Sequence, residues 1–576
     1  MTSPRLRYAV GLRDCAAHHV DVTLSVDDVA GDLVLWLPAW TPGSYMIREF
    51  ARNLRAPRAT AQDGTALAVE RVDKATILVR GARGRVDVMY RVYANEVSVR
   101  TTWVDAERAL LNGAATFLVP RGREREPIAI TIDVPSTWRV FTALPRGVDG
   151  AWIAADHDRL VDTPIACGSF ERRAFDVAGV PHSFVFCGHG DWVHERVAAA
   201  TTAIVGEHAR LFGSLPYANY AFLAFTTADG KGGLEHRDSC VLLHPRLQFA
   251  DPTGWHDFVS LIAHEHFHAW NVKSARPREL AAADLAHEAY TRSLWIAEGI
   301  TSYYDELVPL RARVVERPAY FERMADAIAR HRDTPGRAHE TLEEASLLAW
   351  IRLYRPDEDT QNSAISYYAK GALVAWLLDL EIRTRSAGQA SLDDVMVRLV
   401  REFPYEGPGY SGAEFERLCA DAAGSDLTTF FDRAVRSTAE LDFEGPLARF
   451  GLSLRTKPKD KPTVRDLIGA RIRRADRRAI VDGVDPGSPA ALAGMSARDE
   501  LVALDGLRVD ADTLAARLRG SVGRTATFTL FRDDVLIERT LVAPQVSAFS
   551  YTLTANDDVD DATRARREAW LTGAAR

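Results

Sequence analysis

The run Asp257-Phe258-Val259-Ser260-Leu261-Ile262-Ala263-His264-Glu265-His266-Phe267-His268-Ala269-Trp270-Asn271 constrains this chain more than any other part of it. It holds no Pro or Gly, and its apolar residues suit a mostly buried helix. On a helix, positions i and i+4 share one face. His264 and His268 can therefore face a single metal ion, and Glu265 can reach a water at that ion. Two imidazole ligands beside a carboxylate base form the His-Glu-x-x-His arrangement, suited to attack of a metal-activated water on a carbonyl. His266, at i+2, reads as a polar residue on another face of the helix rather than as a ligand.

A catalytic zinc takes three protein ligands and keeps a position for water. The third should lie downstream on another rigid element. Ser293 to Leu307 reads as a second helix and carries Glu298 among apolar and aromatic neighbours. A carboxylate in that setting needs a partner, because an unpaired buried charge is costly. Zinc would be that partner, one ion per chain, and His with carboxylate ligands suits zinc well. Glu288, Asp305 and Glu306 remain rival ligands on the sequence alone.

His264 to Asn271, followed by Val272-Lys273-Ser274-Ala275-Arg276-Pro277 and by Trp295-Ile296-Ala297-Glu298-Gly299, resembles the glycyl aminopeptidase family. These are gluzincin metallopeptidases with a C-terminal PDZ domain. The more distant aminopeptidase N family shares the logic of two His, a downstream Glu and a remote Tyr, although Ala297 stands here where that family has Asn. The resemblance implies a thermolysin-like catalytic domain and extends over nearly the whole chain.

Two further segments match substrate-facing elements. Gly232-Gly233-Leu234-Glu235-His236 resembles the Gly-x-x-Glu-x strand of gluzincin aminopeptidases. Paired glycines let a backbone approach an extended peptide closely. A carboxylate beside them can hold a terminal ammonium by charge-assisted hydrogen bonds. Only a chain end carries that amine, so such an anchor makes an exopeptidase. Ser366-Tyr367-Tyr368-Ala369-Lys370-Gly371 resembles the Tyr-x-Lys-Gly element of the aminopeptidase N family. That match implies that Tyr368 donates to the developing oxyanion, with Tyr367 and Tyr303 as rivals.

The chain has 576 residues, too many for a single core, so several domains are expected. A net charge of −8 leaves no electrostatic footprint for nucleic acid or an anionic membrane. Cysteines at 15, 167, 187, 240 and 419 are scattered and form no Cys-x-x-Cys, so neither a disulfide framework nor a Cys-ligated zinc is expected. The N-terminal segment has no apolar core of a signal peptide, and no stretch approaches the ~20 apolar residues that span a bilayer. The expected location is the cytoplasm.

The expected fold is a multidomain α+β protein. Residues 1–170 read as an all-β, sandwich-like domain, from alternating runs such as Val20 to Val26 and Val86 to Val92. Its Leu37-Pro38-Ala39-Trp40-Thr41-Pro42-Gly43-Ser44-Tyr45 segment matches the glycyl aminopeptidase family. The expected role of this domain is to buttress the catalytic domain, with the aromatic loop bordering the substrate cleft as the less favoured alternative. Residues 171–310 read as the catalytic domain and 311–445 as its helical part, interrupted by a loop at Phe403 to Tyr410. Residues 446–545 form a separate module: Gly487-Ser488-Pro489-Ala490-Ala491 and Asp499 to Gly506 resemble a bacterial PDZ domain, with Ile468-Gly469-Ala470 as its candidate carboxylate-binding loop. Thr456 to Pro462 reads as a flexible polar segment, and the tail, 546–576, is expected to end in a short helix.

The expected activity is a zinc aminopeptidase releasing small N-terminal residues, Gly or Ala by resemblance. His264, His268 and Glu298 would hold zinc, Glu265 would act as base, Tyr368 would steady the oxyanion, and Glu235 with Gly232 and Gly233 would bind the free N-terminus. Two alternatives use the same residues: an endopeptidase whose PDZ module recruits substrate C-termini, and a non-catalytic peptide-binding scaffold. Peptides are the expected partners, including a possible peptide C-terminus at the PDZ module.

Overall fold

The computed structural model describes residues 4–476, 478–544 and 548–573; the expected PDZ boundary at 545 and the start of the tail at 546 fall outside the described residues. The chain forms two compact units. The first runs to Glu316 and includes Leu392–Ala422, and the second comprises Arg317–Ser391 with Ala423–Trp570.

Alternating apolar and polar residues build the β-rich start of the first unit. Two 18-residue strands, His19–Trp36 and Thr76–Tyr93, run antiparallel from the pair His19↔Tyr93 to the pair Trp36↔Thr76. Bulges between Val26 and Val29 and between Gly31 and Leu33 interrupt their register. Leu6–Gly11 lies between His19–Trp36 and the parallel strand Ile128–Asp133. A second sheet orders Arg139–Thr142, Ile165–Gly168, Arg108–Leu111 and Trp103–Val104. Leu24, Val88 and Ile130 of the first sheet share one core with Val104, Leu111 and Ile165 of the second, which makes this domain a sandwich.

The rest of the first unit is built on a five-stranded sheet. Its order is Phe170–Val177, Val180–Cys187, Tyr220–Thr227, Ser239–Pro245 and Gly232–Glu235. The central strands are parallel, mostly apolar and buried along nearly their whole length, as a sheet covered on both faces requires. Gly232–Glu235 is the outer strand, antiparallel to its neighbour, and its far edge pairs with no strand among the described residues. Helix Pro252–Phe267 follows, with Pro252 in its first turn and Asp251 capping the Gly254 N–H at 2.8 Å. It packs on helix Ile300–Arg311, where the rings of Phe267 and Tyr304 stack 4.6 Å apart.

In the second unit, helices Arg317–Arg332 and Tyr367–Arg385 pack around a core in which Trp376 stacks on Trp570. Residues 464–543 contribute a core of their own. Its sheet orders Ala470–Ala475, Arg478–Val484, Glu500–Leu504, Thr525–Arg532 and Val535–Val542, with helix Ala511–Gly520 against it. Asn362 Nδ2 donates to the Val484 carbonyl at 3.0 Å and fixes this module to the preceding helical segment. The segment expected to be flexible is instead partly a strand: Leu452–Pro458 pairs with Phe549–Ala555, so backbone pairing overrides its polar composition. The tail ends in helix Asp561–Thr572. All five cysteines are buried and in no disulfide.

Candidate metal and substrate site

His264 and His268 lie at the C-terminal end of helix Pro252–Phe267, His268 as its cap. Glu298 lies in Trp295–Gly299, a single π-helical turn leading into helix Ile300–Arg311. Such turns insert one extra residue and are frequent at functional sites. Glu298 Oε2 stands 3.5 Å from His264 Nε2 and 3.2 Å from His268 Nε2. The remaining nitrogens are committed elsewhere. His264 Nδ1 meets Asp305 Oδ2 at 2.9 Å, and His268 Nδ1 meets the Asn271 carbonyl at 2.5 Å. Acceptors at both Nδ1 positions fix the tautomer and leave the Nε2 lone pairs for a metal. The Asn271 amide donates to the carbonyls of Ile296 and Ala297 at 2.9 and 3.0 Å, which ties the segment after His268 to the turn bearing Glu298.

This donor set fits a zinc ion: two imidazole nitrogens and one carboxylate oxygen, all within 4.8 Å of one another. The local charges point the same way. Burial would lower the His264 pKa, but the neighbouring Asp305 and Glu298 carboxylates hold it well above its ordinary value. Burial would raise the Glu298 pKa, but the His268 and His264 imidazoles hold it well below the carboxylate range. The site favours positive charge. Of the rival ligands, Asp305 orients His264 and Glu306 bonds His256 Nε2 at 2.8 Å. Glu288 is in none of the clusters of potential ligands found among the described residues. His266 faces the opposite side, where it meets His208 at 2.7 Å and Tyr217 at 2.5 Å in a buried network.

Glu265 is 4 % exposed, and its Oε2 has no hydrogen-bond partner among the described residues. Burial pushes its carboxyl up to about 7, the range suited to a group that takes and returns a proton near neutrality. A Cβ on Gly233 would fall 1.9 Å from Glu265 Oε1, so the bare backbone of the outer strand makes room for this carboxylate. At Gly232 a Cβ would meet nothing closer than Arg100 at 3.7 Å. The close approach is therefore a property of Gly233.

Glu235 ends the same strand and is 3 % exposed, with Oε1 lacking a hydrogen-bond partner among the described residues. Lys273 Nζ is 3.9 Å from that oxygen and 2.9 Å from Asp162 Oδ1. Gly43 closes over Glu235 from the β domain. A Cβ there would fall 2.4 Å from Glu235 Oε2, and the backbone φ of +87° itself favours glycine. Glu235 also borders a cavity of about 630 Å³, lined by Trp40, Tyr45, Lys273 and Tyr405 among others.

The aromatic segment of the β domain therefore borders the site, which was the less favoured of its two expected roles. Tyr45, fully buried, donates its hydroxyl to Glu298 Oε1 at 3.0 Å. Trp40 Nε1 donates to the His287 carbonyl at 2.8 Å and holds the segment in place. Partners that orient a ligand typically contribute about 10- to 100-fold to metal affinity or activity. Tyr45→Phe is accordingly expected to weaken zinc binding by about tenfold or more in competition with a chelator. Unchanged affinity would remove Tyr45 from this role.

Tyr368 lies in the second unit, in the first turn of helix Tyr367–Arg385, whose Ser366 cap accepts from the Ala369 N–H at 3.2 Å. Its hydroxyl meets that of Tyr354 at 2.8 Å. Tyr368 is half-buried, whereas its rivals Tyr367 and Tyr303 are fully buried.

Residues 7–169 match the Peptidase M61 N-terminal domain, 257–374 the M61 glycyl aminopeptidase, and 480–532 a PDZ domain. Among solved structures, an aminopeptidase N family protein from Idiomarina loihiensis is 29% identical with a TM-score of 0.93, covering 98% of this chain and 100% of that one. An M1 zinc metallopeptidase from Deinococcus radiodurans is 16% identical with a TM-score of 0.46, covering 76% and 94%. No curated protein matches the sequence.

Proposed function

We propose that this chain, whose residues 7–169 and 257–374 match the Peptidase M61 N-terminal domain and the M61 glycyl aminopeptidase, is a zinc aminopeptidase that releases a single small residue, Gly or Ala, from the free N-terminus of a peptide. The observation that carries this reading is Glu235: a buried carboxylate with an oxygen lacking a hydrogen-bond partner among the described residues, at the end of the outer strand, beside Glu265 and His268. A free ammonium would satisfy that oxygen, while an amine-blocked peptide would leave it unsatisfied at a cost of about 1–3 kcal/mol.

His264, His268 and Glu298 would hold the zinc, whose chemistry is that of a Lewis acid polarising the scissile carbonyl and acidifying water. Glu265 takes the proton of the attacking water on its carboxylate and returns it to the departing amine. The outer edge of Gly232–Glu235 pairs with the extended substrate, and Glu235 fixes the chain end. By the resemblance of its Tyr-x-Lys-Gly element, Tyr368 would be the hydroxyl donor to the developing oxyanion. Gly43 and Tyr45 bring the β domain against this end of the site, and that cover supports an exopeptidase over an endopeptidase.

The cavity of about 630 Å³ beside Glu235 favours a wider reading as well, in which larger first residues are accepted. A panel of Gly, Ala, Leu and Phe arylamides separates the two. The anchor itself is tested by Glu235→Ala. The variant is expected to lose at least about tenfold in kcat/KM on Gly-arylamide while retaining zinc. Equal loss on N-acetylated peptides would refute the anchor role.

At the PDZ module, the proposed ligand is a peptide, and the carboxylate-binding role of Ile468-Gly469-Ala470 is the weaker part of that proposal. The Gly469 N–H is already spent on the Arg465 carbonyl at 2.8 Å, and Gly469 is the left-handed cap of helix Val464–Ile468.

A further inference from the structure

Behind the outer strand, three charged side chains are buried together: Lys273, Asp162 and Glu235, with side-chain exposures of 7, 10 and 4 %. Lys273 follows the metal-binding helix, and its backbone N–H donates to the His268 carbonyl at 2.9 Å. Asp162 comes from the β domain, where it caps helix His157–Val161. The two carboxylates grip the lysine unequally. Asp162 Oδ1 accepts a hydrogen bond from Nζ at 2.9 Å, whereas Glu235 Oε1 is 3.9 Å away, too far for one.

Asp162 is itself held. Its Oδ2 accepts the Arg237 backbone N–H at 3.0 Å, Arg237 Nε lies 3.6 Å from the same oxygen, and His236 Nδ1 is 3.5 Å from Oδ1. Burial would raise the Asp162 carboxyl, but the Lys273 ammonium above all holds it well below the carboxylate range. Both partners are therefore charged. Two buried carboxylates need a cation between them, and the one supplied here is placed to leave Glu235 Oε1 without a donor.

We propose that Asp162 is a positioning residue for substrate binding: it holds Lys273 back from Glu235, so that the anchor oxygen stays available to the ammonium of the substrate. The inference rests on the reading of Glu235 as the anchor. Without the Asp162 charge, the nearest carboxylate left to Lys273 is Glu235. A shift of about an ångström brings the two to hydrogen-bond distance, and the lysine then occupies the place of the substrate amine. The β domain thus sets the affinity of the catalytic domain for free N-termini.

The test uses the full-length, zinc-loaded protein with Gly-4-nitroanilide as substrate, with zinc content measured for every variant. Asp162→Asn is expected to raise KM by about tenfold or more, with kcat within about twofold, since one charge-assisted contact to the substrate is lost. The double variant Asp162→Asn with Lys273→Met removes the competing ammonium together with its partner, and is expected to bring KM back to within about threefold of the parent. A merely structural role for Asp162 would not be rescued by removing a second buried charge. An unchanged KM in Asp162→Asn, or a double variant no better than the single one, overturns the proposal. Should Asp162→Asn fail to fold, the double variant still decides: a KM at least tenfold above the parent, at unchanged zinc content, overturns it. Glu235→Ala serves as control. If it leaves KM unaffected the anchor reading falls as well, and if it raises KM while Asp162→Asn does not, only the role of Asp162 falls.

Discussion

Glu265→Gln is expected to keep its zinc and lose turnover by about 10²- to 10⁴-fold. The substitution preserves shape, and the three metal ligands lie on other residues. What it removes is the carboxylate that follows the first metal ligand and is placed to accept a proton from water and return it. Glu265 is buried, its Oε2 is unpartnered among the described residues, and Gly233 presents bare backbone to its other oxygen. An amide there still fills the space and its oxygen still accepts hydrogen bonds, but it has no basic oxygen to take the proton. KM for a free-amine substrate should change little, because Glu235 is untouched. Turnover close to that of the parent in a zinc-loaded variant would show that another group is the base.

Glu298→Ala is expected to abolish tight zinc binding. The remaining His264 and His268 supply two ligands, one fewer than a catalytic zinc takes. The consequence is measurable without catalysis. A ligand that binds only the folded state stabilises it by about 4 kcal/mol at a thousand times its Kd. The parent should therefore show a zinc-dependent rise in melting temperature, and the variant should show none over the same range. Stoichiometric zinc in the variant, with the same thermal shift, would place the third ligand elsewhere. Glu298→Gln gives a gentler version, since it retains an acceptor for the Tyr45 hydroxyl that the parent bonds at 3.0 Å.

Part of this candidate site is legible in the sequence, because its chemistry depends on local spacing. His264, Glu265 and His268 form one turn of one helix, and helical geometry alone brings the two imidazoles together. Glu298 is less local. Its neighbours marked it as buried, but only the fold distinguishes it from Asp305, which orients His264 instead. The least legible contributions cross between domains. Tyr45 and Gly43 belong to a segment whose Pro, Gly and aromatic residues also fit an ordinary turn, and no periodic signal links position 45 to position 298. Asp162 and Lys273 were invisible for the same reason: a buried ion pair is a property of packing, and a single Asp after a short helix looks like any other cap. The strand at Leu452–Pro458 shows the opposite error, where polar composition concealed a backbone pairing set by a distant partner.

The β-rich start followed from its residue pattern and the PDZ module from its resemblance, and each has a core of its own; the sheet of the catalytic part instead shares its core with Val99, Trp103 and Leu110 of the β domain. The way the β domain serves the site did not follow, since that depends on one loop reaching Glu235 and Glu298.

The measurement that tests the central claim most directly is hydrolysis of Gly- and Ala-arylamides beside their N-acetylated forms, by metal-quantified protein with and without chelator. Cleavage of the free-amine substrates alone, lost on chelation and restored by zinc, is the predicted result. Cleavage of the acetylated forms at a comparable rate would contradict the aminopeptidase assignment, and cleavage that survives complete removal of the metal would contradict the zinc site itself.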